Sequence, residues 1–220
     1  MPSVEKPKIA ILISGRGSNM ESLISAVERT NIHGEIVLVA ANRPEALGLK
    51  YAEKAGIATA VIDHTAFDNR LQFDSALAET VAAVTPDLVI LAGFMRILSS
   101  AFVDRFQGRL MNVHPSLLPK YPGLSTHQRA LDNGDKFGGA TVHYVTGELD
   151  GGPPIIQGQV GISANDSAIS LQQRVLDIEH AIYPIAAQWH LEGRLKLSGS
   201  QVLLDGDPLP ATGYPWRLPQ

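Results

Sequence analysis

The sequence predicts an α/β fold: a doubly wound, mostly parallel sheet, Rossmann-like in its first half, with an antiparallel extension in its second. Three observations predict it. Strand-like and helix-like segments alternate through the first half. Two of the strand-like runs, PKIAILIS and DLVILAGF, are apolar without alternation. Strands apolar on both faces belong in a parallel sheet with helices on both sides, and strand–helix–strand repetition gives the crossovers of a doubly wound sheet. In the second half, ATVHYVT and PIIQGQVGI flank the turn-like GELDGGP and read as an antiparallel pair.

Each element follows from its local pattern. PKIAILIS is the first strand, and Met20, Leu23, Ile24 and Val27 then recur at helical spacing. EIVLVAAN is a strand, and LGLKYAEKAG a helix closed by Gly56. ATAVID is a strand and RLQFDSALAETVAAV a helix; Pro86 precedes the strand DLVILAGF. RLMNVH is a further strand, stopped by Pro115, which cannot donate to a ladder. A Pro/Gly loop follows, then a short helix over His127–Asn133. After the antiparallel pair a long helix runs from about Ser167 to Glu192, with Asn165, Asp166 or Ser167 as cap and a kink expected at Pro184. KLSGSQVLLDG suggests a last small hairpin. With no repeat and no evident linker, the expectation is one domain over residues 1–220, in two halves, 1–107 and 108–220.

Composition excludes several classes. The chain has 220 residues, 45% of them apolar, which suits a globular fold with a sizeable core. Its formal net charge is −4 with no long basic run, against nucleic acid as the main partner. With no cysteine, thiol nucleophiles, disulfides and Cys-zinc sites are out. The N-terminal apolar run is too short for a signal segment and no later run approaches a membrane span, so a cytoplasmic location is expected.

Three motifs fall at carboxyl ends of strands, where open α/β sheets bind ligands. GRGSN, residues 15–19, links the first strand to the first helix. Glycines let a ligand approach the backbone, and a helix N-terminus offers free N–H groups to an anion. A plain βα turn is the alternative. Gly15 and Gly17 fit the start of a dinucleotide fingerprint, but Met20 stands at the third glycine position and Asn42-Arg43 where an acidic residue would hold a ribose. Both departures count against NAD; Ser18 and Asn19 suit a single phosphate instead. GFMRILS, residues 93–99, is weak by itself. In MNVHPSLLPKYPG, Asn112 and His114 lie two apart and so share one face at a strand end. A structural histidine is the alternative. Asp150 in ELDGGP is either a turn aspartate or, folded back beside His114, a charge that favours the imidazolium. His127 and His143 read as surface or packing residues, and no metal-ligand spacing is visible. Nothing is placed as a covalent nucleophile, which favours direct transfer between two bound substrates with His114 as the acid–base group.

ISGRGSN, LAGFMRIL, MNVHPSLLPKYPG and ELDGGP, in this order, resemble the 10-formyltetrahydrofolate-dependent formyltransferases, from about Lys8 to the long helix. The length, with QGQV and EHAIYP, resembles the branch that formylates a glycinamide ribonucleotide in purine synthesis. The resemblance implies small-molecule substrates, 10-formyltetrahydrofolate as co-substrate, no metal, no membrane or nucleic-acid partner, and a monomer or homodimer. It also implies roles. Gly17, Ser18 and Asn19 would hold the ribonucleotide phosphate, and Glu179 the glycinamide end. Arg70 and the loop Met95, Arg96, Ile97 and Leu98 would line the folate site. Asn112 would reach the formyl group, His114 would be the catalytic acid, and Asp150 would support it and help relay the proton. Loop 115–123 would close over the site. Many relatives carry a histidine where this chain has Ser125, so no essential role is expected at that position. Rival expectations are hydrolysis of the same formyl donor, formylation of a charged tRNA, for which the chain has no further basic domain, and a non-catalytic nucleotide-binding module.

Overall fold

The structure is a computed structural model that describes residues 5–217. Within them the chain forms an eight-stranded sheet and a small three-stranded one. The order in the large sheet is β11-β7-β6-β5-β4-β1-β2-β3. Its strands are β1 (Lys8–Ile13), β2 (Glu35–Ala41), β3 (Thr59–Val61), β4 (Leu88–Leu91), β5 (Leu110–His114), β6 (Phe137–Tyr144), β7 (Pro154–Gly161) and β11 (Tyr214–Trp216). β3, β2, β1, β4 and β5 are parallel; β6 runs antiparallel to β5 and β7, and β11 is parallel to β7.

The unbroken apolar runs are explained by the two faces of this sheet. Ile9, Ile11 and Ile13 of β1 bury into one core, Ala10 and Leu12 into the other. β4 does the same with Leu88 and Ile90 against Val89 and Leu91. Successive side chains point to opposite faces, so a strand covered on both sides must be apolar throughout. One face carries α1 (Ser18–Glu28), α2 (Gly48–Lys54) and the long α6 (Ala168–Leu191); the other carries α3 (Arg70–Ala83) and α4 (Ser100–Arg105). α5 (Thr126–Asp132) packs on β6 and α6.

The expected elements are present with shifted ends. β6 begins three residues before the predicted ATVHYVT, and the tail forms β8 (Leu195–Ser198), β9 (Gln201–Leu204) and β10 (Asp207–Pro208) rather than a simple hairpin. α4 and β11 were not predicted. Ser167 is the cap of α6, in a capping box with Ser170. Pro184 lies inside α6, and the helix continues through it. Proline has no N–H to offer the carbonyl four residues back; that carbonyl, on His180, accepts instead from Ser22 Oγ of α1 at 3.0 Å.

β1 lies between β2 and β4, so the crossovers leave in opposite directions from its carboxyl end. A crevice opens there. The loops that leave β1 and β4 are tied across it: Ser14 N–H donates to Gly93 C=O at 3.2 Å, and Met95 N–H to Ser14 Oγ at 2.7 Å.

Candidate active site

The site is built from three carboxyl-end segments. GRGSN turns from β1 into α1 through Gly17, whose φ is 78°. A left-handed residue at this position cannot cap with a side chain when it is glycine, and no side-chain cap is present. The first N–H groups of α1 have no intrahelical carbonyl to meet and are available to an anion. Gly48 packs against this turn: a Cβ there would lie 2.7 Å from Ile13 Cδ1 and 3.0 Å from the Arg16 carbonyl oxygen. Gly17, Ser18 and Asn19 line a cavity of about 220 Å³. Met95 lines this cavity too, whereas Arg96, Ile97 and Leu98 line a second one. The expected folate loop is thus divided between two cavities.

Glu179 of α6 lies behind Asn19, outside the lining of the first cavity. Asn19 Nδ2 donates to its Oε2 at 2.6 Å. Burial pushes the Glu179 carboxyl up to about 7, with the Asn19 hydrogen bond opposing the rise.

Asn112 and His114 end β5. The antiparallel register sets Asn112 opposite His143 and His114 opposite Thr141. The β6–β7 turn then returns Asp150 to them. Asp150 has φ 51°, and Gly152 must be glycine, because a Cβ there would lie 1.8 Å from the Tyr144 carbonyl oxygen. Asp150 Oδ2 stands 3.4 Å from His114 Nδ1 and Oδ1 stands 3.9 Å from His143 Nε2. Asn112 Nδ2 lies 3.2 Å from His143 Nε2. Asn112, His143, Asp150 and His114 form one cluster.

Neighbours decide the tautomers. His143 Nδ1 is 2.9 Å from the Tyr144 carbonyl, so Nδ1 carries the proton and Nε2 accepts from the Asn112 amide. This fixes which end of the amide faces His143 and leaves the second Nδ2 hydrogen free. Burial holds the His143 imidazole below the usual histidine range, against the Tyr144 carbonyl and the Asp150 charge, which act the other way. His114 faces acceptors at both nitrogens: Asp150 at Nδ1 and the Tyr121 carbonyl, 2.8 Å away, at Nε2. Only the Nε2 contact is a hydrogen bond; Nδ1 stands beside the Asp150 carboxylate at an ion-pair distance.

The Pro/Gly loop is held rather than loose. Thr141 Oγ1 donates to Ser116 C=O at 2.7 Å and accepts from Leu118 N–H at 3.1 Å and Gln157 Nε2 at 2.9 Å. At its tip, Tyr121 C=O accepts from His114, and Gly123 N–H donates to Asp150 Oδ2 at 2.8 Å. Ser125 sits at the N-cap of α5 with φ 57° and makes no side-chain cap. Burial, with the nearby His114 charge, lowers His127 below the usual range.

The second cavity has apolar walls from Leu91, Phe94, Leu98 and Val103, and Asn112 and Asp150 open into it. Ile97 and Leu149, both exposed, add apolar surface to its lining. Such a shape fits a heteroaromatic ring whose reactive end meets the polar cluster. Arg96 lines it with its guanidinium over the Phe73 ring, 5.1 Å from the centroid. Arg70 is the first residue of α3, exposed and outside the lining of either cavity. His143 is the residue that sequence reasoning missed: only the β5–β6 register sets it against Asn112.

Residues 7–187 match the family model described as Formyl transferase. The phosphoribosylglycinamide formyltransferase of Escherichia coli is 50% identical over 206 residues, covering 94% of this chain and 97% of that protein. The Haemophilus influenzae protein of the same name is 43% identical over 207 residues, covering 94% and 98%. The solved structure of the Coxiella burnetii phosphoribosylglycinamide formyltransferase in complex with CHES superposes with a TM-score of 0.93 at 45% identity, covering 97% of this chain and 100% of that one.

Proposed function

The chain belongs to the formyl transferase family, and on that premise we propose that it is a phosphoribosylglycinamide formyltransferase of purine synthesis, which moves a formyl group from 10-formyltetrahydrofolate to the amine of the ribonucleotide. The observation that carries this reading is the Asn112–His143–Asp150–His114 cluster, of which Asn112, His143 and Asp150 line a largely apolar cavity.

The amine attacks the formyl carbon and a tetrahedral oxyanion forms. Asn112 offers its free N–H to that oxygen while His143 holds the other. A positioned donor of this kind is typically worth about 3–4 kcal/mol in the transition state. His114, beside Asp150 and with Nε2 at the Tyr121 carbonyl, supplies the second donor and the proton for the leaving folate nitrogen, and Asp150 helps relay back the proton that the attacking amine gives up. Its Nε2–H is held by the Tyr121 carbonyl and must exchange that partner if it is to meet the oxyanion. Tyr121 lies in loop 115–123, which ties the loop's position to the chemistry. The same loop shields the site from water, and hydrolysis of the formyl donor is the competing reaction.

Gly17, Ser18 and Asn19 are assigned the ribonucleotide phosphate and Glu179 the glycinamide end. Arg96, Ile97, Leu98 and Asn112 are assigned the folate, with Met95 at the border of the two cavities and Arg70 a more distant contact. The reaction as drawn uses neither a metal nor NAD; Met20, which replaces the third fingerprint glycine, is fully buried in the core. Among the described residues no helix is long and apolar enough to cross a membrane. Our reading includes a cytoplasmic monomer or homodimer, working as one unit in two halves, without nucleic-acid partners.

The test is folate absorbance with and without the glycinamide ribonucleotide. Turnover that requires the amine supports transfer. Turnover without it means hydrolysis, and none in either case means a binding module.

A further inference from the structure

Resting on the reading that GRGSN holds the ribonucleotide phosphate, we propose that Arg16 and Arg43 form a two-guanidinium clamp for that phosphate. Arg16 stands between the glycines of the β1–α1 turn and Arg43 just beyond β2. The two loops are joined by Gly48 N–H donating to Gly15 C=O at 3.1 Å. Both arginines line the 220 Å³ cavity over Gly17, Ser18 and Asn19, and no carboxylate lines it. In a chain of net charge −4 this concentrates two positive charges where the first turn of α1 already points its N–H groups.

Neither guanidinium is engaged elsewhere among the described residues. Arg174 and Arg194 are tied to Asp166 and Asp205, and Arg109 and Arg129 donate to backbone carbonyls. Arg16 and Arg43 have no such partner and are exposed at the cavity rim. Asn19 lines the cavity at only 8% exposure, with Nδ2 on Glu179 and Oδ1 buried without a hydrogen-bond partner. A phosphorylated ribose carries the dianion that the two arginines lack. Arginine suits the role because its planar fork meets two phosphate oxygens at once, whereas lysine offers a point charge.

The experiment is calorimetry on the full chain with the glycinamide ribonucleotide and, separately, the riboside that lacks the phosphate. Arg16→Ala and Arg43→Ala are each expected to weaken ribonucleotide binding about tenfold. Riboside and folate binding should hold, and Arg16→Lys should recover part of the loss. Inorganic phosphate should compete less well against both alanine variants. Unchanged ribonucleotide binding in both variants, or equal losses for ribonucleotide and riboside, would overturn the clamp. If the wild type binds both ligands equally, the phosphate reading itself fails, and the clamp with it. If the wild-type preference survives in both variants, the clamp alone falls.

Discussion

At the scale of single residues, the active cluster works through fixed proton positions. His143 can hold Asn112 only as a neutral acceptor, and His114 is surrounded by acceptors. His114→Ala is therefore expected to lower kcat/KM by about 100- to 10,000-fold, the usual range for a lost acid–base group. Asp150→Asn should cost less, and the double variant should be little worse than His114→Ala alone, because residues acting as a unit are not additive. Steady-state kinetics on the three variants decides; fully additive losses would make Asp150 a turn residue. Glu179 gives a stability signature. Its carboxyl is raised to about 7 by burial, while in an unfolded chain it titrates near the ordinary glutamate value of 4.5. The folded protein holds this proton more tightly, so the favourable contribution is complete below the unfolded pKa and lost as pH rises through 7. The full span corresponds to about 3 kcal/mol. Glu179→Gln should flatten stability against pH between about 5 and 8, as measured by urea unfolding at several pH values.

At the scale of elements, α1 and α6 act as one support beside the first cavity. They meet through Asn19 and Glu179, and through Ser22 and the His180 carbonyl that Pro184 leaves without a helical donor. Ser22→Ala should remove about 1 kcal/mol and lower Tm by roughly 2–4 °C. Adding Pro184→Ala restores an N–H four residues beyond His180, so the double variant should recover part of the loss. Thermal unfolding of both variants checks this. Tyr183, one turn after Glu179 on the same helix, donates from its buried hydroxyl toward the Leu91 and Met111 carbonyls. The same helix therefore reaches β4 and β5, the second of which carries Asn112.

At the scale of the whole molecule, one sheet carries two cores, and β1 and β4 contribute to both. Unfolding should therefore be a single transition. The antiparallel extension is closed by close packing: a Cβ on Gly158 of β7 would lie 2.5 Å from Ile178 Cγ2 of α6 and 3.1 Å from Trp216 Cε3 of β11. Gly158→Ala is expected to cost about 1–3 kcal/mol by overpacking. Calorimetry should show one transition at lower temperature; two transitions would mean that the extension unfolds separately.

The sequence by itself determined most of the segments that become strands and helices and which polar residues end them. The burial of β1 and β4 on both faces is written in their unbroken apolar runs, the start of α6 in Ser167, and the end of α2 in Gly56, whose φ is 73°. These are local rules, decided by neighbours along the chain. α4 also had a local signal, Ser99 followed by Phe102, Val103 and Phe106, just beyond the 93–99 segment read as a motif. β11 had little, since YPW carries a proline and joins the sheet only by lying along β7. Tertiary structure decided that Asp150 returns to His114, that His143 faces Asn112, and that Met95 and Arg96 line different cavities. Such contacts depend on strand register and turn geometry between segments far apart in sequence, and no local pattern encodes them.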